Sequence, residues 1–187
     1  MKKLLLIITA LSLSFAGEMG LSAYGGLNLA GISGDGASDD SGMKPGLALG
    51  VQYNKLPVIL GVGISTRGDK VAESTVGGIT MSASSSYMYL DLSAIYPYAV
   101  GPGNVWGGLG IGVNLSAEAT AEIAGVEASA DIEDVELDYG LLIGYTYPIN
   151  ETMGVSASYY MGLAEIIADS KLTHTGIGFG ISYSIPF

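Results

Sequence analysis

The chain has 187 residues, 49% of them hydrophobic and 13% charged, with 29 glycines, no cysteine and a formal net charge of −11. Without cysteine there is no disulfide framework, thiol nucleophile or thiolate metal site. An acidic surface is also a poor match for nucleic acid or a simple anionic lipid surface. No stretch beyond the N-terminus holds the ~18 consecutive apolar residues that a membrane helix needs.

In chain order, residues 1–16 read as a signal peptide. Lys2 and Lys3 form its charged start, residues 4–15 its apolar core, and Ser14-Phe15-Ala16 offers small residues for cleavage. A core of ~12 residues is too short to span a bilayer. No cysteine follows it, which excludes a lipid-anchored start. An exported domain over residues 17–187 is expected.

From there apolar and small or polar residues alternate in short stretches. Side chains in a strand point to opposite faces in turn, so each stretch reads as a strand with one greasy side. Such strands are expected over 21–31, 46–54, 58–67, 87–98, 105–116, 135–147, 153–163 and 172–187. The last is the clearest. Thr175, Ile177, Phe179, Ile181, Tyr183, Ile185 and Phe187 share one parity; His174, Gly176, Gly178, Gly180, Ser182 and Ser184 share the other.

Each stretch is long enough to cross a bilayer as a tilted strand. The connections alternate in length: short around Lys55, Gly103 and Asn150, longer around Asp39, Gly77, Gly125 and Asp169. Tyr53, Tyr96, Tyr98, Tyr145, Tyr147, Tyr183 and Phe187 gather near the short turns or the C-terminus, where an aromatic girdle would lie. Pro57, Pro97, Pro102, Pro148 and Pro186 gather there too, and proline suits strand ends. The expected fold is therefore all-β: an eight-stranded antiparallel up-and-down transmembrane β-barrel with short periplasmic turns and long external loops.

Two external loops keep the alternation. Residues 115–133 read as a raised hairpin about Ala124-Gly125, with a bulge expected near Glu133 or Asp134 where the parity slips. A second raised hairpin is expected about Gly77-Gly78.

Several short pieces together resemble the small outer-membrane β-barrel family that includes PorT-like proteins. They are Tyr24-Gly25-Gly26-Leu27-Asn28-Leu29, Pro45-Gly46-Leu47-Ala48-Leu49-Gly50, Arg67-Gly68-Asp69-Lys70, Tyr89-Leu90-Asp91-Leu92, Leu137-Asp138-Tyr139-Gly140 and the final Phe187. The architecture is also similar to the outer membrane protein A and X barrels. The resemblance implies the outer membrane as address and the barrel assembly machinery as partner, reading a closing strand that carries Phe179, Tyr183 and Phe187. It implies no catalytic residue and no cofactor.

Function would hide among the inward positions. Tyr24, Tyr87, Tyr89, Trp106 and Tyr160 face many glycines there, and Arg67, Asp91, Glu136 and Asp138 are expected to form a polar network in the lumen. An internal ion-pair plug is the favoured reading of that network over a solute path, because buried charges need partners and a barrel this small is filled by its side chains. His174, the single histidine, is expected at the outer rim facing water. Glu165 and Ser170 lie near it in sequence, but Gly176 stands where a lipid-modifying hydrolase would want its serine. Asp35, Asp39 and Asp40, and likewise Asp131, Glu133 and Asp134, read as solvated acidic loops rather than metal sites. The expectation is a monomeric, non-enzymatic barrel contacting outer-membrane lipids and lipopolysaccharide, with a structural or surface-interaction role. A small-solute pore is the alternative.

Overall fold

The structure is a computed structural model describing residues 20–185, apart from 36, 38–40 and 55. The signal peptide expected over 1–16 and the terminal Phe187 lie outside the described residues.

Among the described residues nine strands follow in order: β1 Leu21–Ser33, β2 Ser41–Tyr53, β3 Ile59–Val76, β4 Ile79–Val100, β5 Gly103–Ile123, β6 Val126–Asp131, β7 Asp138–Pro148, β8 Met153–Gly162 and β9 Thr173–Ser184. Every pairing is antiparallel. Eight strands form a ring, β1-β2-β3-β4-β5-β7-β8-β9, which closes where β9 meets β1. Among the described residues the ninth, β6, is attached to the upper part of β5 alone.

Closure removes the free edges that an open sheet would expose to hydrocarbon. Following paired residues once around, from Leu21 through Tyr53, Leu60, Ala94, Leu109, Leu141, Met161 and Thr175, returns to β1 at Gly31, ten residues above the start. A stagger of that size makes the strands tilt, and a barrel of eight strands leaves a bore that side chains can largely fill.

The faces sort as the alternation requires. Leu27, Leu47, Leu49, Ile64, Leu92, Leu109, Ile143 and Phe179 are exposed on the outside. In water such a surface would be an aggregation hazard; in a bilayer it is the solvated face. Tyr96, Tyr98, Tyr147 and Tyr183 lie exposed at the short-turn end. Inside, glycines make room for rings. A Cβ at Gly63 would sit 2.4 Å from the Tyr24 hydroxyl, and one at Gly144 would sit 2.3 Å from the Trp106 ring.

Both raised hairpins are present. Gly77 and Gly78 turn with φ of 62° and 82°, and Ala124 and Gly125 with φ of 53° and 80°. These are the left-handed values that a two-residue hairpin turn demands. Since Met81 still pairs with Ile123, β3, β4, β5 and β6 form one continuous four-stranded wall above the ring.

The parity change lies elsewhere than the expected bulge near Glu133 or Asp134. Met88 pairs with Ser116 but Tyr89 pairs with Asn114, so β5 carries one extra residue at Leu115. That bulge turns Ala117, rather than Ser116, toward the axis, and Ala117 is buried. At the expected position the ladder simply stops: β6 ends at Asp131, Asp134 takes a φ of 56°, and β7 begins at Asp138.

Candidate functional site

Arg67, Asp91 and Asp138 come from β3, β4 and β7 and meet in the bore. Nη2 of Arg67 donates to Oδ1 of Asp91, and Nη1 donates to Oδ2 of Asp138. The Tyr160 hydroxyl, from β8, donates to the other oxygen of Asp138 at 2.8 Å. The guanidinium carbon lies 4.6 Å from the Tyr89 ring centroid and 4.7 Å from that of Tyr160, so the cation is held between two rings. The Asp138 side chain is 3% exposed and that of Arg67 10%, whereas Asp91 at 21% looks toward open space.

Register explains the meeting. Asp91 pairs with Gly112, and Gly112 pairs with Asp138, so a residue without a side chain stands between the two carboxylates. A Cβ at Gly112 would lie 3.1 Å from the Tyr89 ring and 3.2 Å from Asp91 Oδ1, in the space the network fills.

Glu136 does not join them. It is exposed in the break before β7, and its N–H donates to the Ile166 carbonyl at 2.9 Å. The alternation that placed it inward counts from a strand starting at residue 135, but the ladder begins only at Asp138.

His174 also departs from expectation. It is buried, 1% exposed, not a rim residue facing water. Its Nε2 lies 3.0 Å from the Tyr89 hydroxyl, and its ring meets Tyr87 edge-on with centroids 5.0 Å apart. No triad forms with its sequence neighbours: the Ser170 hydroxyl accepts from the Leu172 N–H at 3.3 Å within its own loop. The strand parity already pointed His174 inward; what buries it is the loop above.

That loop, residues 163–172, folds back over the bore instead of standing in water. Ile166 is buried in a cluster with Tyr87, Tyr89 and Ala117, and Ile32, Ile132, Val135 and Leu172 pack against it. Val135 pairs with Ile167 as an isolated bridge. Below the cluster comes the Arg67 layer. The bore is thus closed toward the external end by an apolar plug resting on an ion-pair layer.

Lys44, which the sequence places in a loop, lies instead on β2. Its ammonium donates to the Ser86 hydroxyl at 2.6 Å, the Ser85 carbonyl at 3.2 Å and the Ser84 hydroxyl at 3.3 Å. It ties β2 to β4 where β2–β3 pairing lapses between Met43 and Ala48. Of the acidic loop residues, Asp131, Glu133 and Asp134 are exposed, and Asp39 and Asp40 lie outside the described residues. Phe179 and Tyr183 stand exposed on the outer face of β9.

A closed ring with an apolar exterior, an aromatic end and a plugged polar interior defines an integral outer-membrane β-barrel. Residues 4–184 match the family described as the outer membrane protein beta-barrel domain, and the chain belongs to that family. Its address is accordingly the outer membrane. No curated protein sequence matches the chain. Among solved structures it is similar to Neisserial surface protein A, with a TM-score of 0.57 at 13% identity, over 89% of this chain and 97% of that one. It is also similar to Ail, the attachment invasion locus protein of Yersinia pestis, in complex with the heparin analogue sucrose octasulfate. There the TM-score is 0.55 at 16% identity, over 90% of this chain and all of that one, 100%. Likeness at these identities is one of fold.

Proposed function

We propose that the protein is a monomeric, non-enzymatic barrel whose raised wall of β3 to β6 carries a surface-interaction role. The observation that carries this reading is the upper end of the wall. All six residues of β6 are exposed, and β6 has β5 as its single paired neighbour among the described residues. An unpaired strand edge held above the membrane is a ready template for another chain. The outward face of the hairpin bears Glu118, Glu122, Glu127 and Asp131, while Ala119, Ala121, Ala128 and Ala130 face the axis. Ail, named for attachment and invasion, shares the fold and fits the same reading. The lower barrel has a structural part: its outer face contacts outer-membrane lipids and lipopolysaccharide, and its closing strand engages the assembly machinery.

Deletion of residues 119–130 tests the role, since the cut spares Ala117 and Ile132 of the plug. The shortened barrel is expected to stay heat-modifiable on gels and to lose surface adhesion by intact cells. Unchanged adhesion would overturn the proposal. The solute-pore reading has less support, because the Tyr87, Tyr89, His174 and Ile166 plug stands across the bore.

A further inference from the structure

Under the Arg67 layer the bore is hollow. A chamber of about 460 Å³ runs from Arg67, Asp91 and Tyr160 down to the short turns, where Asn54, Asn104 and Asn150 surround its mouth. It is blind at the top and open on the periplasmic side. Its size falls among pockets that hold small ligands.

The wall has a definite chemistry. Gln52, Ser93, Ser156, Ser158 and Ser182 supply amide and hydroxyl groups, and Tyr24 and Trp106 supply aromatic surface. Among the described residues its charged side chains are Arg67 and Asp91, already paired with each other, and Glu151, which stands at the mouth. An anion entering would lose hydration and find Arg67 already shared by two carboxylates, and a cation would lose hydration beside carboxylates that are both already bonded to Arg67. A purely apolar molecule would strand the wall hydroxyls without partners. An uncharged, hydroxyl-rich molecule exchanges its water contacts for equivalent ones, and lays its C–H faces on an aromatic ring. Trp106 is prepared for that contact. Its Nε1 donates to the Thr146 hydroxyl at 3.0 Å, and its ring fills the space left by Gly144.

We propose that this chamber is a binding site for a neutral mono- or disaccharide entering from the periplasm. The site is independent of the raised wall, at the opposite end of the barrel.

Trp106 is the chain's single tryptophan, so its emission reports on the chamber alone. The full barrel is refolded in a detergent with no sugar headgroup, such as lauryldimethylamine oxide, and titrated with trehalose, with glucuronate and glucosamine as charged comparisons. A saturable emission change with trehalose is expected, with matching heat by calorimetry and protection of Trp106 from acrylamide quenching. Ser156→Leu, which narrows the chamber away from Arg67, is expected to weaken binding by at least about tenfold. The barrel lacking 119–130 is expected to bind as the intact chain does. A linear, unsaturated response in the intact protein would overturn the proposal. So would equal binding of glucuronate or glucosamine, or unaltered binding by folded Ser156→Leu. Acrylamide protection in the intact chain decides the matter even if that variant does not fold.

Discussion

Arg67 shows how a single inward charge dictates its surroundings. A guanidinium in a membrane-embedded bore requires partners, and it has two carboxylates and two rings. Arg67→Met would leave Asp91 and Asp138 facing each other without a cation, and is expected to cost about 3–5 kcal/mol, read by urea unfolding in micelles. Replacing Asp91 and Asp138 with leucine in the same chain should recover much of that loss, because no unpaired charge then remains. A chain in which Arg67→Met alone unfolds like the parent would show that the layer carries little stability. One level up, Tyr89→Phe takes the hydrogen bond from buried His174. About 1–3 kcal/mol of destabilisation is expected by the same assay.

The β5–β6 hairpin poses the question of what a single element gains from its irregularities. Its register sets Glu118 opposite Asp131 and Glu122 opposite Glu127, and like charges facing each other weaken a ladder. Glu122→Lys turns one of these pairs attractive. It is expected to raise protection of the Ala121 and Ala128 amides in hydrogen exchange, by roughly 0.2–1 kcal/mol. Ala124 holds a left-handed turn position at a cost of about 1–2 kcal/mol, so Ala124→Gly should add to that protection. The extra residue at Leu115 offsets the alternation of the hairpin from that of the strand below it. Deleting it would let the ladder run regularly from Asn114 to Ser116, with Ala117 still opposite Tyr87 and Glu118 still on the outward face. Unchanged resistance of the hairpin to added protease on intact cells is the expected outcome; lost resistance would mean that the bulge itself holds the wall in place.

Across the whole molecule the bilayer takes the place of a core. Among the described residues the buried apolar cluster is confined to the upper bore, while long apolar side chains cover the outside. A charge on that exterior therefore acts as a core defect would in a soluble protein. Leu109→Arg, on the lipid face where β4, β5 and β7 pair, is expected to lower folding stability in bilayers by about 2–4 kcal/mol. Ser156→Arg, facing the wet chamber, should cost much less in the same bilayer measurement. Equal losses at the two positions would contradict the assigned faces.

The amino-acid sequence by itself determined the strand class, the ring of eight, the inward and outward faces and the two raised hairpins. All of these follow from a period of two and from turn residues, which are local properties. It also pointed Arg67, Asp91 and Asp138 to one interior. What it could not specify was register, since a two-residue shift along a neighbouring strand leaves every face intact while changing each partner. Only the closed tertiary structure therefore set Gly112 between the two carboxylates, left Glu136 outside, and placed the parity change at Leu115. Folding Ile166 over His174 was likewise a tertiary decision: a loop carries no period to announce where its one buried residue will land.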